Sequence, residues 1–305
     1  MRASFLTNKL GSKLQTRERI KIRCRKLPDA LYSVELLTIM KNLIAFLLAA
    51  LAPATLTLHA QDWAKSRLEK SPRHSEWVKV KSGNREIQCF VVYPEVKQKA
   101  AAVLVVHEIF GLTDWAREVT DELAEAGYIV IAPDLLSGRA PNGGGTAEIG
   151  GESAAVKAVS GLPADQVISD LNAAAEYIVK QPSCNGNLAV AGFCWGGGKA
   201  FAYAAENPNL KAAFVFYGPP PEPEKLRNIH CQVHGFYGGN DNRITSIVPA
   251  TTEEMKKANK VYEPVIYEGA GHGFMRTGEA PGAKPADAKA RDSAWKRWKQ
   301  LLKKI

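Results

Sequence analysis

Cysteine is scarce in this chain, with five among 305 residues. That excludes a disulfide-built scaffold. Cys24 lies near the start, and Cys89, Cys184, Cys194 and Cys231 are spread over the rest, which leaves room for one bridge among Cys89, Cys184 and Cys231. Long apolar runs are also lacking. The longest, Leu43 to Leu58, falls short of the roughly 20 residues that a membrane span needs. No Gly-x-Gly-x-x-Gly follows the first strand-like run, so no dinucleotide cofactor is expected. Lys199 precedes Ala200 instead of Ser or Thr, which excludes a phosphate loop, and His107-Glu108 is not completed to the zinc pattern His-Glu-x-x-His. In a strand, His230 and His234 would share a face while Cys231 points away, so that trio is not read as a metal site. Neither a cofactor nor a metal is expected.

Basic charge is plentiful but unevenly placed. The chain carries 40 Lys and Arg against 31 Asp and Glu, net +9. Ten of those bases and only three of the acids fall in residues 1–60, leaving 30 and 28, a net of +2. The basicity is therefore mostly leader and gives no reason to expect nucleic acid as a partner. Met40-Lys41-Asn42, the apolar run and Leu58-His59-Ala60 together read as a secretory signal peptide cut near Ala60. Residues 1–39 then read as an upstream extension before a true start at Met40. The alternative is a basic cytoplasmic tail on an uncleaved anchor. Cleavage would place the mature protein, 61–305, in the periplasm or outside the cell, with no membrane span left.

From Glu76 onward the apolar pattern alternates between strand and helix. Glu76–Ser82 and Glu86–Tyr93 read as an opening hairpin. Strand-like runs at 101–106, 128–132, 188–192, 212–217, 229–237 and 261–267 are interleaved with helical patterns at 114–126, 164–181, 198–206, 246–259 and 286–303. Such alternation implies one α/β domain with a mostly parallel sheet covered by helices on both faces. Trp295, Trp298, Leu301 and Leu302 share one face of the last helix, which should dock on the sheet. The Gly-rich stretch from Ser137 to Gly161 reads as a lid over one end of the strands.

The segment Gly192-Phe193-Cys194-Trp195-Gly196-Gly197 carries the chemistry. An apolar run ends at a cysteine, small residues follow, and a helical pattern begins. This is the layout of a nucleophile elbow with Cys in place of Ser. The helix N-terminus would favour a thiolate and an oxyanion. Partners in such folds follow in the order nucleophile, acid, histidine, each just past a strand. Asp241, in Gly238-Gly-Asn-Asp241, and His272, in Gly269-Ala-Gly-His-Gly273, stand in that order. His272 would act as base, and Asp241 would hold its tautomer. The loop after Val106 supplies Glu108 at the mouth of an oxyanion hole formed by the N–H groups of Ile109 and Trp195.

Four blocks, His107-Glu-Ile-Phe-Gly111, Ala132-Pro-Asp-Leu135, Gly192-Phe-Cys-Trp-Gly-Gly197 and Gly271-His-Gly-Phe274, resemble the dienelactone hydrolase (carboxymethylenebutenolidase) family of the α/β-hydrolase fold over about Glu76 to Ile305. The resemblance implies a Cys194–His272–Asp241 triad that opens an enol lactone by acyl transfer to sulfur. It also implies that Glu108 controls the resting thiol. Two arginines would clamp a substrate carboxylate, Arg276 and, one residue off the expected spacing, Arg139, with Phe110 beside them. The expected partner is a small lactone or ester, and the expected state a monomer, with a dimer as the alternative. Two other readings stand beside this one. The first is a broad esterase or thioesterase. The second is a non-catalytic binding or redox-sensing protein on the same scaffold.

Overall fold

The computed structural model describes residues 61–305. The expected extension, signal peptide and cleavage point lie outside the described residues. Eight strands form one sheet in the order β1-β2-β4-β3-β5-β6-β7-β8. β1 (Ser75–Ser82) and β2 (Arg85–Val92) form the opening hairpin, and β2 also lies antiparallel to β4 (Ile129–Pro133). From β4 onward every neighbour is parallel: β3 (Ala100–Val106), β5 (Cys184–Phe193), β6 (Ala212–Phe216), β7 (Gln232–Gly238) and β8 (Tyr262–Tyr267). Parallel neighbours need crossovers, and the helices that supply them cover both faces of the sheet.

The period-2 geometry of a strand splits the core in two. On β3, Ala102, Leu104 and Val106 join one apolar layer while Val103 and Val105 join the other. The first layer takes buried side chains from α4 (Ala164–Val179) and α5 (Trp195–Glu206). The second takes them from α2 (Asp114–Glu125) and α10 (Pro285–Leu302), with Ala64 of α1 (Asp62–Lys70). Trp298 is fully buried there, its ring 4.8 Å from that of Phe216 and 5.9 Å from that of Phe193. The last helix thus docks by the face that its apolar spacing marks.

The stretch 137–161 is not a bare loop. It holds a short 3-10 turn, Thr146–Glu148, and the helix α3 (Glu152–Ser160), whose Ala155 and Val159 are buried. Asp134 anchors it, accepting from the Thr146 amide and hydroxyl at 2.7 Å each. Gly150 and Gly151 mask this helix in the sequence because they sit directly before it, at φ 91° and 101°. The helix α5 also begins earlier than its glycines suggest, at Trp195 instead of Gly198. Close backbone contacts there outweigh the low helix propensity of glycine. The four described cysteines, Cys89, Cys184, Cys194 and Cys231, are free thiols.

Candidate active site

Cys194 occupies the turn between β5 and α5 at φ 56°, ψ −117°. A side-chain-bearing residue held at positive φ costs about 1–3 kcal/mol and persists only where its surroundings fix it. Here they do. A Cβ on Gly192 would lie 2.0 Å from the Gly196 carbonyl oxygen. One on Gly196 would lie 2.2 Å from the His107 carbonyl oxygen and 2.4 Å from that of Val106. The amide of Cys194 donates to the Phe216 carbonyl at 3.0 Å. Both glycines are required because backbone crosses backbone at these points.

The amide N–H groups of Trp195 and Ile109 face the Cys194 sulfur and favour its thiolate. Burial and the nearby Glu108 carboxylate outweigh them and push the thiol above its ordinary pKa, and the Arg243 guanidinium adds a smaller opposing pull. The resting sulfur is therefore a protonated thiol at neutral pH. The Trp195 indole finds room by stacking on the His107 ring, 5.8 Å away and 13° from parallel, with the Lys199 ammonium 5.2 Å over it.

Glu108 is buried, and its Oε2 accepts from Arg276 Nε at 2.7 Å. Burial raises its pKa, while Arg276, His272 and Tyr217 pull it down. Arg276 also lies over the Phe110 ring at 5.2 Å. Asp241 Oδ2 and His272 Nδ1 are 2.5 Å apart. With Nδ1 donating to the carboxylate, Nε2 carries the lone pair of a base. That Nε2 is buried and has no hydrogen-bond partner among the described residues. Asp241, His272, Glu108 and Cys194 thus share one sheet end, but the sulfur rests toward the amides and Glu108, not on the imidazole.

Arg139 is the other arginine expected at the carboxylate clamp. It is exposed, and its guanidinium donates to Gln166 at 2.5 Å. Two residues at the site went unread in the sequence. Tyr217 follows β6 at φ 42° and is fully buried, with its ring edge-on to His272 at 5.0 Å and its hydroxyl facing Glu108. Arg243 stands two residues after Asp241, exposed and unpaired among the described residues, with its charge felt at the sulfur. The available signal was position: each lies just past the C-terminal end of a parallel strand, as the expected residues do. His230, Cys231 and His234 gather no metal-like ligand set; among the described residues only Glu118, Glu122 and Glu279 do, and two arginines already pair with them.

Comparison with known proteins gives a consistent result. The model of the dienelactone hydrolase family matches residues 87–305. A provisionally named carboxymethylenebutenolidase of Salmonella typhimurium is 34% identical over 206 residues, spanning 64% of this chain and 74% of its own. One from Yersinia pestis is 31% identical over 232 residues, 72% of this chain and 85% of its own. The crystal structure of a provisionally assigned dienelactone hydrolase from Klebsiella pneumoniae superposes with a TM-score of 0.67 at 27% identity, covering 76% of this chain and 99% of that one.

Proposed function

This chain belongs to the dienelactone hydrolase family and is a carboxylic-ester hydrolase, and from that premise we propose that it opens small lactones or activated enol esters bearing a carboxylate, through an acyl-thioester on Cys194. The observation that carries this reading is the convergence of the Ile109 and Trp195 amides on the sulfur, beside an imidazole that Asp241 holds in the basic tautomer. Those two amides are suited to receive the oxyanion that forms when sulfur adds to a carbonyl carbon.

The steps follow from the charges. A substrate carboxylate draws on Arg276, which is otherwise spent on Glu108. Glu108, relieved of its cation, becomes a better proton acceptor and takes the thiol proton. The thiolate attacks the carbonyl carbon, the ring C–O bond breaks, and the enolate oxygen takes the proton that Glu108 holds. Water, deprotonated by His272, then attacks the thioester. The S–C bond breaks, and the acid is released as the proton on His272 passes to sulfur and re-forms the thiol. Thiolate is itself a good leaving group, so collapse favours substrates whose alcohol leaves easily. Arg243, unpaired among the described residues, supports an anionic substrate in the place expected of Arg139.

A redox-sensing role fits poorly, because oxidation-sensing cysteines are low-pKa thiolates and burial with Glu108 drives this one the other way. A panel of dienelactone, carboxylated and neutral p-nitrophenyl esters, alkyl esters and thioesters tests the reading. Enol and aryl esters with a carboxylate should turn over fastest, and alkyl esters hardly at all. Thioesters turned over ahead of enol lactones would favour the thioesterase alternative, and wild-type turnover by Cys194→Ala would overturn the mechanism.

A further inference from the structure

Asp287 lies in the first turn of α10, outside the loops that carry the site residues, and its side chain is buried. Its two oxygens do different things. Oδ1 accepts the Gly271 amide at 2.8 Å, and Oδ2 accepts the Thr277 hydroxyl at 3.0 Å. One carboxylate therefore brackets residues 271–277, the segment that carries both His272 and Arg276. Within the bracket, Gly273 turns the chain at φ 77°, and the helix α9 (Phe274–Thr277) is a single turn. Neither feature fixes its position from within. Phe274 and Met275 seat one side of the segment in the core, while the side that carries His272 and Arg276 faces a cavity of about 390 Å³ lined also by Lys284 and Asp287. The approach of α10 is close: a Cβ on Gly278 would fall 2.3 Å from the Asp287 carbonyl oxygen.

We infer that Asp287 is a positioning residue of this enzyme: by holding Gly271 and Thr277 on one carboxylate, it sets the imidazole of His272 against the nucleophile and the guanidinium of Arg276 against Glu108. The inference rests on the catalytic reading of His272 and Arg276 given above. It adds that the two groups move as one unit, governed from the last helix. Misplacing a reacting group by about 1 Å costs on the order of a hundredfold in rate. Loss of the bracket should therefore lower kcat through His272 and raise KM for carboxylated substrates through Arg276.

Three variants separate this from a merely structural role. Asp287→Asn keeps an oxygen for the Gly271 amide, and its NH2 can donate to the Thr277 oxygen, so kcat should stay within a few-fold of wild type. Asp287→Ala should lose on the order of a hundredfold in kcat while its circular dichroism remains native. Thr277→Val cuts only the Arg276 end, so it should raise KM for a carboxylated ester about tenfold with kcat largely kept and the neutral ester unaffected. Should Asp287→Ala fail to fold, the Asn and Thr277→Val kinetics carry the test alone. Wild-type kcat and KM in folded Asp287→Ala, or equal changes for neutral and carboxylated esters in Thr277→Val, would overturn the inference. An active His272→Ala would instead overturn the catalytic reading beneath it.

Discussion

Replacing Glu108 by Gln should make the nucleophile easier to alkylate and the enzyme slower, two changes that point in opposite directions. The Glu108 side chain is 4% exposed and its negative charge holds the Cys194 proton in place. Glutamine keeps an oxygen for Arg276 Nε, so the hydrogen bond at 2.7 Å can persist while the charge goes. Losing a nearby like charge is typically worth about 1.4 kcal/mol or more to such an equilibrium. The unneutralised Arg276 acts in the same direction. The thiolate fraction at neutral pH should therefore rise on the order of tenfold or more, and labelling by iodoacetamide at pH 7 should rise with it. Hydrolysis should fall by about 10²-fold or more if Glu108 takes the thiol proton during turnover as proposed. Both rates can be read on one preparation, by mass spectrometry for labelling and by p-nitrophenol release for turnover. Labelling unchanged or slower in Glu108→Gln, or turnover preserved, would refute the control of the thiol by this carboxylate.

Other outcomes follow from the same coordinates. Gly196→Ala should abolish turnover and cost about 3 kcal/mol or more of stability, since its Cβ would meet the backbone oxygens of His107 and Val106 at 2.2 and 2.4 Å; a near-native melting temperature with activity retained would contradict the elbow geometry. Arg243→Gln should raise KM for carboxylated esters about tenfold, the loss expected for one charged hydrogen bond, and leave neutral esters alone. The trio of buried Glu118 and half-buried Glu122 and Glu279 holds three carboxylates against Arg67 and Arg291. Burial first, then the neighbouring carboxylates, pushes Glu118 up to about 9 and Glu122 to about 7, from an ordinary 4.5. The folded form therefore keeps protons that the unfolded chain releases above about 4.5. Their stabilisation is full below that value and is lost as pH rises toward 9, by at most about 1.4 kcal/mol per pH unit for each proton. Urea midpoints should be higher at pH 5 than at pH 8, and Glu118→Gln should flatten that dependence; an equal slope in the variant would refute it.

Much of this was legible from the residues because strand ends are sharply marked. Where an apolar run such as Ala101 to Val106 stops, the next polar residue must lie at the sheet's edge, and in parallel sheets those edges line up. Cys194, Asp241, His272 and Glu108 all stand at such breaks. Tyr217 stands at one too, but an aromatic after Phe214-Val215-Phe216 reads as more core. Its backbone at φ 42° is tied by the Tyr217 amide donating to the Phe236 carbonyl of β7, a contact with no local signature. Arg139 and Arg243 show the converse limit. Both are arginines that follow a strand of the sheet, and the sequence does not show that α4 offers Gln166 to Arg139. The helix Glu152–Ser160 was hidden by the two glycines before it. Asp287 was invisible for a simpler reason: its partners Gly271 and Thr277 meet it only after the last helix has docked.

The most direct test of the account is to stop the reaction in acid during turnover of a carboxylated p-nitrophenyl ester and locate the acyl group by tandem mass spectrometry. The account predicts one acyl adduct, on Cys194, that appears before hydrolysis reaches steady state and is absent from Cys194→Ala. Steady turnover with no adduct on Cys194, or with the acyl group on another residue, would contradict it.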